Sequence, residues 1–365
     1  MTTLPSSLLV LPHLRVQNAN AISSPMTHGF PSITSFLGLM WALQRRLGDS
    51  HPIQLQSVAV ICHGFEEQTT DSGYTRAFKL TRNPLDKDGG MAAIVEEGRI
   101  HLEITLVFGM KDDVLDLEKE KRDLLAHDMA DIVSSMRIAG GVILPNSEKQ
   151  WRTTPSIEII DENIEEAERQ FRKWRRSWLP GFALVSRDDL LQRRLQKLRE
   201  ANLTATALDA WLDLSRFNWA PVSVTEIDSK TGEAKPSKIE WRNDHDEDRE
   251  GWIVPIPVGY GALSEIYPPG DVANARDMTT PFRFVESLYS VGQWISPHRL
   301  QNMQQLLWYN HADPENGLYR AKKRLSALSC SIGNSSCPTF RPLLFSPLSV
   351  SSILPMRFFT PATGT

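Results

Sequence analysis

The length, composition and charge of the chain exclude several classes of protein. Its 365 residues are 41% apolar and 23% charged, which is enough to bury a sizeable core, so we expect a globular protein of about two domains. A net charge of −4 argues against a freestanding nucleic-acid binder, and three cysteines make no disulfide framework. With no apolar stretch long enough for a membrane span, we expect a cytoplasmic protein that binds no membrane. The ligand spacings of metal sites are also absent, so we expect no metal and no other cofactor.

The chain opens with a predicted strand, loop and helix. Residues 8–11 are continuously apolar, and Leu14 and Val16 then alternate with polar residues, which is typical of a strand starting near residue 8. The polar segment 17–30 is predicted to be a loop that can grip a polar ligand, and the next helix has Pro31 in its first turn and ends at Gly48. The candidate ligand-binding residues here are Arg15, Gln17, Asn18, Asn20 and His28.

Three further strands and a second helix follow. The predicted elements are strands at 55–62, 100–108 and 142–144 and a helix at 117–136. The order strand-helix-strand-strand-helix-strand predicts a ferredoxin-like α+β domain over residues 1–150. Gly140 and Gly141 either end the second helix or bend the fourth strand, and they are candidates for close backbone approach to a ligand.

A long insertion separates the second and third strands. Residues 63–99 are far more than a hairpin connection needs, and they contain two strand-like runs, YTRAFKL and MAAIVEE, joined by TRNPLDKDGG. This pattern predicts an inserted hairpin, whose candidate contacts with a polyanion are Arg76, Lys79, Arg82 and Asn83, helped by the charge of Lys87. The alternative is a structural flap with a turn at residues 88–89.

A cationic segment follows the first domain. Ten basic residues and two acids lie between Arg169 and Arg199, which favours a cationic face. Arg175 and Arg176 are its candidate contacts, because Trp174 and Trp178 interleave with them. The alternative is a solvated helix surface.

Residues 151–320 are predicted to form a mixed, mainly helical region that packs on the first domain and on a partner. Its elements are helices at 157–178 and 188–217, a polar linker or loop at 220–250, an edge strand and turn at 252–263, and two aromatic-rich helices at 282–295 and 297–311. The aromatic side chains of the last two are expected in a core or a subunit interface. Residues 321–365 have no acid and many serines, so a disordered tail is predicted.

Several stretches resemble a known family. VLPHLRVQNANAISSP and HGFPSITSFLGLMWALQRR are similar to the second Csy protein of type I-F CRISPR surveillance complexes, a subunit of the RAMP superfamily. Collinear agreement continues through TRNPLDKDGG, AAIVEEGR, RIAGGVILP, LPGFALVSR, WIVPIPVGYGALS and LLWYNHADPENGLYR. The resemblance therefore covers about residues 8–320.

The resemblance implies a non-catalytic subunit in antiviral defence. Such a subunit binds the repeat-derived 5′ handle of the CRISPR guide RNA, docks the large Csy subunit, and contacts the backbone Csy subunits, with target DNA involved at most indirectly. It also implies a RAMP-type fold, in which the insertion is a thumb that braces RNA and Gly140 and Gly141 form a glycine-rich loop. His101, Glu103 and Thr105 offer no Phe, Tyr or Trp side chain for base stacking, so the loops and the thumb are expected to bind the RNA.

Two other functions are compatible with the residues. The first is a RAMP-type endoribonuclease that processes CRISPR RNA, for which His28 and His63 are the candidate acid or base. Neither has a partner visible in the sequence, so we expect no enzyme. The second is a general protein-interaction scaffold.

Overall fold

The computed structural model describes residues 5–48, 53–82, 85, 88–91, 93–112, 117–145, 151–216, 219–224, 238–243, 251–275 and 277–323. The elements up to residue 145 are β1 (Ser7–Asn20), β2 (Ile22–Ser24), β3 (Thr27–His28), α1 (Ile33–Leu47), β4 (Ile53–Glu67), β5 (Thr69–Asp71), β6 (Arg76–Phe78), β7 (Leu80–Arg82), β8 (Ile94–Glu96), β9 (Arg99–Asp112), α2 (Lys119–Ser134), β10 (Arg137–Ile138) and β11 (Gly141–Leu144).

The elements after residue 150 are β12 (Ser156–Ile159), α3 (Ile164–Ser177), β13 (Phe182–Ser186), α4 (Asp188–Ala201), α5 (Ala207–Ser215), β14 (Trp219–Val224), β15 (Lys238–Asn243), β16 (Trp252–Ala262), β17 (Val285–Ile295), α6 (Met303–Leu306), β18 (Trp308–Asp313) and β19 (Leu318–Lys323). Single 3-10 turns cover Trp151–Thr153 and Pro297–Arg299.

The first part of the chain forms an antiparallel sheet in the order β11-β1-β9-β4. Apolar residues alternate along these strands, so α1 and α2 both pack on one face. That face buries Leu9, Ile104 and Leu106 of the strands against Phe36 of α1 and Met129 of α2. Each of these five side chains is fully buried or nearly so. This core therefore covers one face of the sheet.

The opposite face of the same sheet is only partly covered. Near the start of β1, α3 and α6 bury Leu8, Val10 and Val107 together with Phe171. Further along, the face is open and carries polar side chains such as Glu103.

The sheet continues past β4 and closes on itself. β4 pairs with β13 through Ile61 and Cys62 and with β18 through Ser57 and Val58. The strands β13-β17-β16-β19-β18 complete a circuit back to β4. Trp308 lies inside this circuit at 1% exposure, and its indole N–H donates to the Leu184 carbonyl at 2.8 Å. One strand, β4, is therefore shared by the open sheet and the closed ring.

The α4–α5 pair packs on the outside of the ring. Leu190, Trp211 and Leu214 bury Tyr289 and Val291 of β17. Trp211 donates its indole N–H to the Ser290 carbonyl at 2.9 Å, which fixes α5 on β17.

The prediction of an α+β protein is confirmed, as are the main elements of the first part. β1 begins at Ser7, Gly48 caps α1 with a positive φ of 61°, and strands and helices occupy the predicted order. Pro31, however, precedes the helix, and Ser32 is the N-cap, with its side chain accepting from the Thr34 N–H. The strands are also longer than predicted, because polar residues continue the hydrogen-bonded ladder past the apolar core.

Three predictions about the first part need correction. Segment 17–30 is not one loop, since β1 runs to Asn20 and is followed by the β2–β3 hairpin. The insertion spans 68–98 rather than 63–99, and it holds two hairpins, β5–β6 and β7–β8, instead of one. The glycine pair is no helix C-cap, since Ser135 caps α2 and Gly140 sits in the β10–β11 turn.

The second half contains more strand than predicted. The aromatic-rich segments expected to be helices form β17 and β18, and the expected linker 220–250 contains the β14–β15 ribbon. β16 is no simple edge strand, since it pairs with β17 along its length and with β19 at residues 259–261. The helix predicted at 157–178 is β12 followed by α3. The expected tail begins later, since β19 extends to Lys323, and the remainder of 321–365 lies outside the described residues.

Candidate nucleic-acid interface

Three of the last four residues of β1 carry polar side chains, and the backbone there is irregular. Gln17, Asn18 and Asn20 are exposed, and Asn18 adopts a positive φ of 57°, a conformation that asparagine tolerates. Its backbone N–H donates to Nδ1 of His101 at 3.1 Å, where the regular pairing of β1 with β9 is interrupted. The polar end of β1, residues 17–20, is therefore held in a fixed shape.

The β10–β11 turn packs directly on this polar end. The Asn20 N–H donates to the Ala139 carbonyl at 2.8 Å. A Cβ at Gly141 would lie only 2.8 Å from both the Ala19 nitrogen and the Gln17 carbonyl oxygen. Glycine is thus required at 141 for close backbone approach, while Gly140 has a positive φ of 80° and open space around it.

The β2–β3 hairpin joins the polar end of β1 to the base of the insertion. The Ala21 N–H donates to the Gly98 carbonyl at 2.9 Å. His28 is exposed on β3, with Nδ1 3.1 Å from Glu67 Oε1 and its ring edge-on to Phe78. His28 therefore has a carboxylate partner, which the sequence did not reveal.

The insertion carries exposed cations along its two hairpins. Arg76 pairs with Asp71 at 2.9 Å, Lys79 Nζ donates to Gln68 Oε1 at 3.0 Å, and Arg82 Nη1 contacts Met91 Sδ at 3.3 Å. Both members of the surface pair with Asp71 are exposed, so that pair holds Arg76 only weakly. Asn83 and Lys87 lie outside the described residues.

Arg15 lies on the open face of the sheet, exposed and in register with Glu103 of β9. This position is two residues before the polar end of β1. The structure therefore brings together Arg15, the polar end of β1, the glycine turn, His28 and the base of the insertion at one end of the sheet.

Arg175 and Arg176 lie elsewhere. Their helix, α3, packs around Leu8 and Val10, and nine residues of β1 separate Leu8 from Gln17, a distance of roughly 30 Å along a strand. Arg175 is half-buried and donates Nη1 to the Leu300 carbonyl, whereas Arg176 is exposed. The two arginines therefore lie nearer the start of β1 than its polar end.

Half of the ten basic residues of the predicted cationic segment, Arg169, Arg172, Arg187, Arg193 and Arg194, pair with carboxylates. Counting charges between 169 and 199 omitted acids just outside that window. Arg169 lies 2.9 Å from Glu166, and Arg194 pairs with Asp213 on α5. Arg187 and Arg193 both pair with Asp189, whose pKa is lowered overall although its burial opposes this.

A histidine pair on the open face was missed by the sequence analysis. The rings of His13 and His63 stack at 4.1 Å, and His13 Nδ1 lies 2.7 Å from Glu103 Oε1. His63 donates Nδ1–H to the Pro180 carbonyl at 2.6 Å, and its Nε2 lies 2.7 Å from Thr105 Oγ1. A ferredoxin-like unit places its first three strands side by side in one sheet. This predicted adjacency was the signal that could have placed His13 and His63 close together.

Burial lowers the pKa of His63, and the neighbouring His13 acts in the same direction, against the raising effects of the Pro180 carbonyl and Glu103. Because its two ring nitrogens already face Pro180 and Thr105, the neutral imidazole has no nitrogen left for a substrate proton. Cys62, beside it on β4, is buried with a thiol pKa raised to about 12. This arrangement favours a structural role for His63 over a role in proton transfer.

Within the described ranges, no three His, Cys, Asp or Glu side chains are grouped so that they could hold a metal ion. Among the same residues, no helix is both long and apolar enough to cross a membrane.

Comparison with known proteins gives a consistent result. The family model described as CRISPR-associated protein (Cas_Csy2) matches residues 9–321. The CRISPR-associated protein Csy2 of Pseudomonas aeruginosa (strain UCBPP-PA14) is 48% identical over 320 residues, which cover 87% of this chain and 95% of that relative. The segment that the family model matches includes every residue of the candidate interface.

Proposed function

Because the chain belongs to the Csy2 family of subunits of type I-F Csy CRISPR complexes, we propose that it binds the repeat-derived 5′ handle of the guide RNA. In the same proposal it docks the large Csy subunit and catalyses no reaction. It would act in antiviral defence beside the backbone Csy subunits, and target DNA would be reached through the assembled complex.

The sheet order supports a RAMP-type assignment. In chain order, the strands β1, β4, β9 and β11 are the first to fourth strands of the unit, and the antiparallel order β11-β1-β9-β4 with both helices on one face is that of a ferredoxin-like fold. The two-hairpin insertion lies between the second and third strands, where a thumb that braces RNA is expected.

The observation that carries the proposal is the convergence at one end of this sheet. Exposed amides of Asn18 and Asn20, the glycine turn and the base of the insertion lie together. Side-chain amides, backbone N–H groups and the cations that the insertion carries are all groups that bind phosphate or sugar oxygens. The open face offers stacked His13 and His63 rather than a row of exposed aromatic rings. Backbone-directed binding at the sheet end is therefore favoured over base stacking on the face.

RNA cleavage is the second candidate function, favoured only by the His13–His63 stack with Glu103 nearby. General acid–base cleavage needs an imidazole nitrogen within reach of the substrate. The hydrogen bonds of His63 to Pro180 and Thr105 work against that role. His28 is not part of this stack and pairs with a different carboxylate, that of Glu67.

The test of RNA binding uses Arg15→Ala and Arg82→Ala in the complex assembled with guide RNA. A charge-assisted phosphate contact contributes roughly 1.5–3 kcal/mol, so each variant should weaken handle-RNA binding by about tenfold or more. Filter binding at two salt concentrations measures this, and the slope of log affinity against log salt should become shallower in each variant.

Lys121→Ala is the matched control, since Lys121 is an exposed cation on α2, which packs on the other face of the sheet. Unchanged affinity in both arginine variants, with folding intact, would remove the insertion and Arg15 from the RNA site. Cleavage of repeat RNA without a separate nuclease subunit, abolished by His63→Ala, would favour the enzyme instead.

A further inference from the structure

A second surface lies at the opposite end of β1 from the candidate RNA site. It is a groove of about 780 Å³ formed by the residues before β1, the end of β12, the first half of α3 and the start of α6. Its apolar lining includes Ile159, Ile160, Phe171 and Met303. Ile164 stands at its edge with 76% of its surface exposed.

The rim of this groove is acidic. Asp161, Glu162 and Glu168 line it and are exposed. Asp161 accepts the Asn163 N–H at 2.8 Å, which fixes the start of α3, and Glu168 lies 3.7 Å from Arg172. An apolar floor with a carboxylate rim is complementary to an aliphatic or aromatic side chain flanked by lysine or arginine.

We propose that this acid-rimmed groove is a docking site for a basic, apolar-anchored segment of another protein subunit of the complex. The inference rests on the proposed function, because it assumes that the chain is assembled with other subunits. The inference adds which surface of the chain binds the partner subunit and what chemistry the bound segment has.

Charge decides against two of the three other occupants, guide RNA and a second copy of the chain, but not against the chain's own C-terminal segment. Guide RNA is repelled by three carboxylates, since its phosphates need cations. A second copy of this chain would bring a groove of the same sign against this one. The chain's own residues 324–365 carry Arg324, Arg341 and Arg357 and no acid, and β19 ends opposite Trp308, close to α6.

Residues 324–365 are nevertheless a poorer choice than a partner. They lie outside the segment matched by the family model, whereas β12, α3 and α6, which shape the groove, lie wholly inside it. Apart from Pro5 and Ser6, the residues that line the groove belong to the part of the chain that the family model matches, and the occupant should not depend on this C-terminal segment.

The test uses the full chain co-expressed with the other protein subunits of its own CRISPR system and a guide RNA. Ile164→Asp removes the exposed apolar side chain at the edge of the groove, and an aspartate is favourable in the first turn of a helix. The double variant Glu162→Lys/Glu168→Lys reverses the charge at two positions of the rim. Each should weaken the affinity for the purified partner subunit at least tenfold. The wild-type affinity should itself fall with added salt.

Leu203→Asp and Glu200→Lys are the matched controls. Leu203 is 89% exposed between α4 and α5, and Glu200 is exposed on α4, and neither lines the groove. Both controls should remain within about twofold of wild type.

A photo-crosslinking residue at position 164, in the purified complex of defined subunits, keeps the test independent of folding defects. The crosslinked peptide should come from another protein chain and contain Lys or Arg beside an apolar residue. Crosslinks to residues 324–365, to RNA, or to a second copy would overturn the inference. So would groove variants that assemble as wild type does.

The two proposals fail differently. If the wild-type chain joins no complex and binds no guide RNA, the proposed function is wrong. If wild type and groove variants assemble equally well and both bind guide RNA, only the docking surface is wrong.

Discussion

At the scale of single residues, His63 links the open face of the sheet to the loop before β13. Its pKa is lowered by burial and by His13, so the unfolded chain binds the proton more readily than the folded chain. The stability that this neutral imidazole contributes is complete above its unfolded pKa of about 6.5 and is lost as the pH falls below that value. We expect the melting temperature to decrease between pH 7 and pH 5.5, and less steeply in His63→Gln.

His28→Gln is the control for this prediction, because His28 is 70% exposed. Thermal unfolding followed by circular dichroism at closely spaced pH values measures both slopes. Parallel slopes for wild type and His63→Gln would contradict the assignment of this pH dependence to His63.

At the scale of elements, the β10–β11 turn depends on the missing side chain of Gly141. An alanine Cβ would approach Ala19 N and Gln17 O to 2.8 Å, and these are backbone atoms that cannot swing away. We expect Gly141→Ala to lower the free energy of unfolding by about 1–3 kcal/mol, as overpacking does. Because the turn would be pushed from β1, handle-RNA affinity should fall too.

Gly38→Ala provides the matched control. Gly38 is exposed in α1 with no atom within 4 Å of its ideal Cβ, so alanine should stabilise the helix by up to about 1 kcal/mol. Urea unfolding and filter binding measure both variants. Equal stability of wild type and Gly141→Ala would show that the turn does not need close approach.

Elements with one buried face were predictable from the sequence. β9 alternates Ile100, Leu102 and Ile104 with polar residues, and its position was confirmed. β17 was mistaken for a helix because its residues from Leu288 to Gln293 are all buried, on both faces of the sheet. Without alternation, a short apolar run does not distinguish a strand from a helix.

At the scale of the whole molecule, Trp308 holds the closed ring together. Phenylalanine would keep most of the apolar contact but remove the N–H that donates to the buried Leu184 carbonyl. An unsatisfied buried acceptor costs about 1–3 kcal/mol, so Trp308→Phe should lower stability by at least that much. Since β4 belongs to both ring and sheet, both should unfold in one transition.

Guanidinium unfolding, followed by both tryptophan fluorescence and circular dichroism, tests whether the ring and the sheet unfold together. Trp219→Phe is the control, since Trp219 is 63% exposed on the β14–β15 ribbon. Separate transitions for the two probes, with only one shifted by Trp308→Phe, would show that the ring unfolds on its own.

The candidate site was predictable in its residue types but only partly in its arrangement. Asn18, Gly141 and His28 were singled out by composition and turn chemistry, yet the contacts that each makes with neighbouring strands come from strand register, which the sequence does not encode locally. His63 was a candidate from the sequence, but its stacking on His13 was missed for the same reason, since 50 positions separate the two residues. The grouping of Arg175 and Arg176 with this site remains a prediction.

The double membership of β4 also has a consequence for synthesis on the ribosome. Val58 emerges early, but its partner Trp308 lies near the end of the described chain. At typical elongation rates of about 5–20 residues per second, this edge of β4 stays unpaired for on the order of ten seconds or more. The nascent protein therefore presents an open apolar strand edge while most of its sequence is still being translated, and interrupted synthesis leaves that edge available for aggregation.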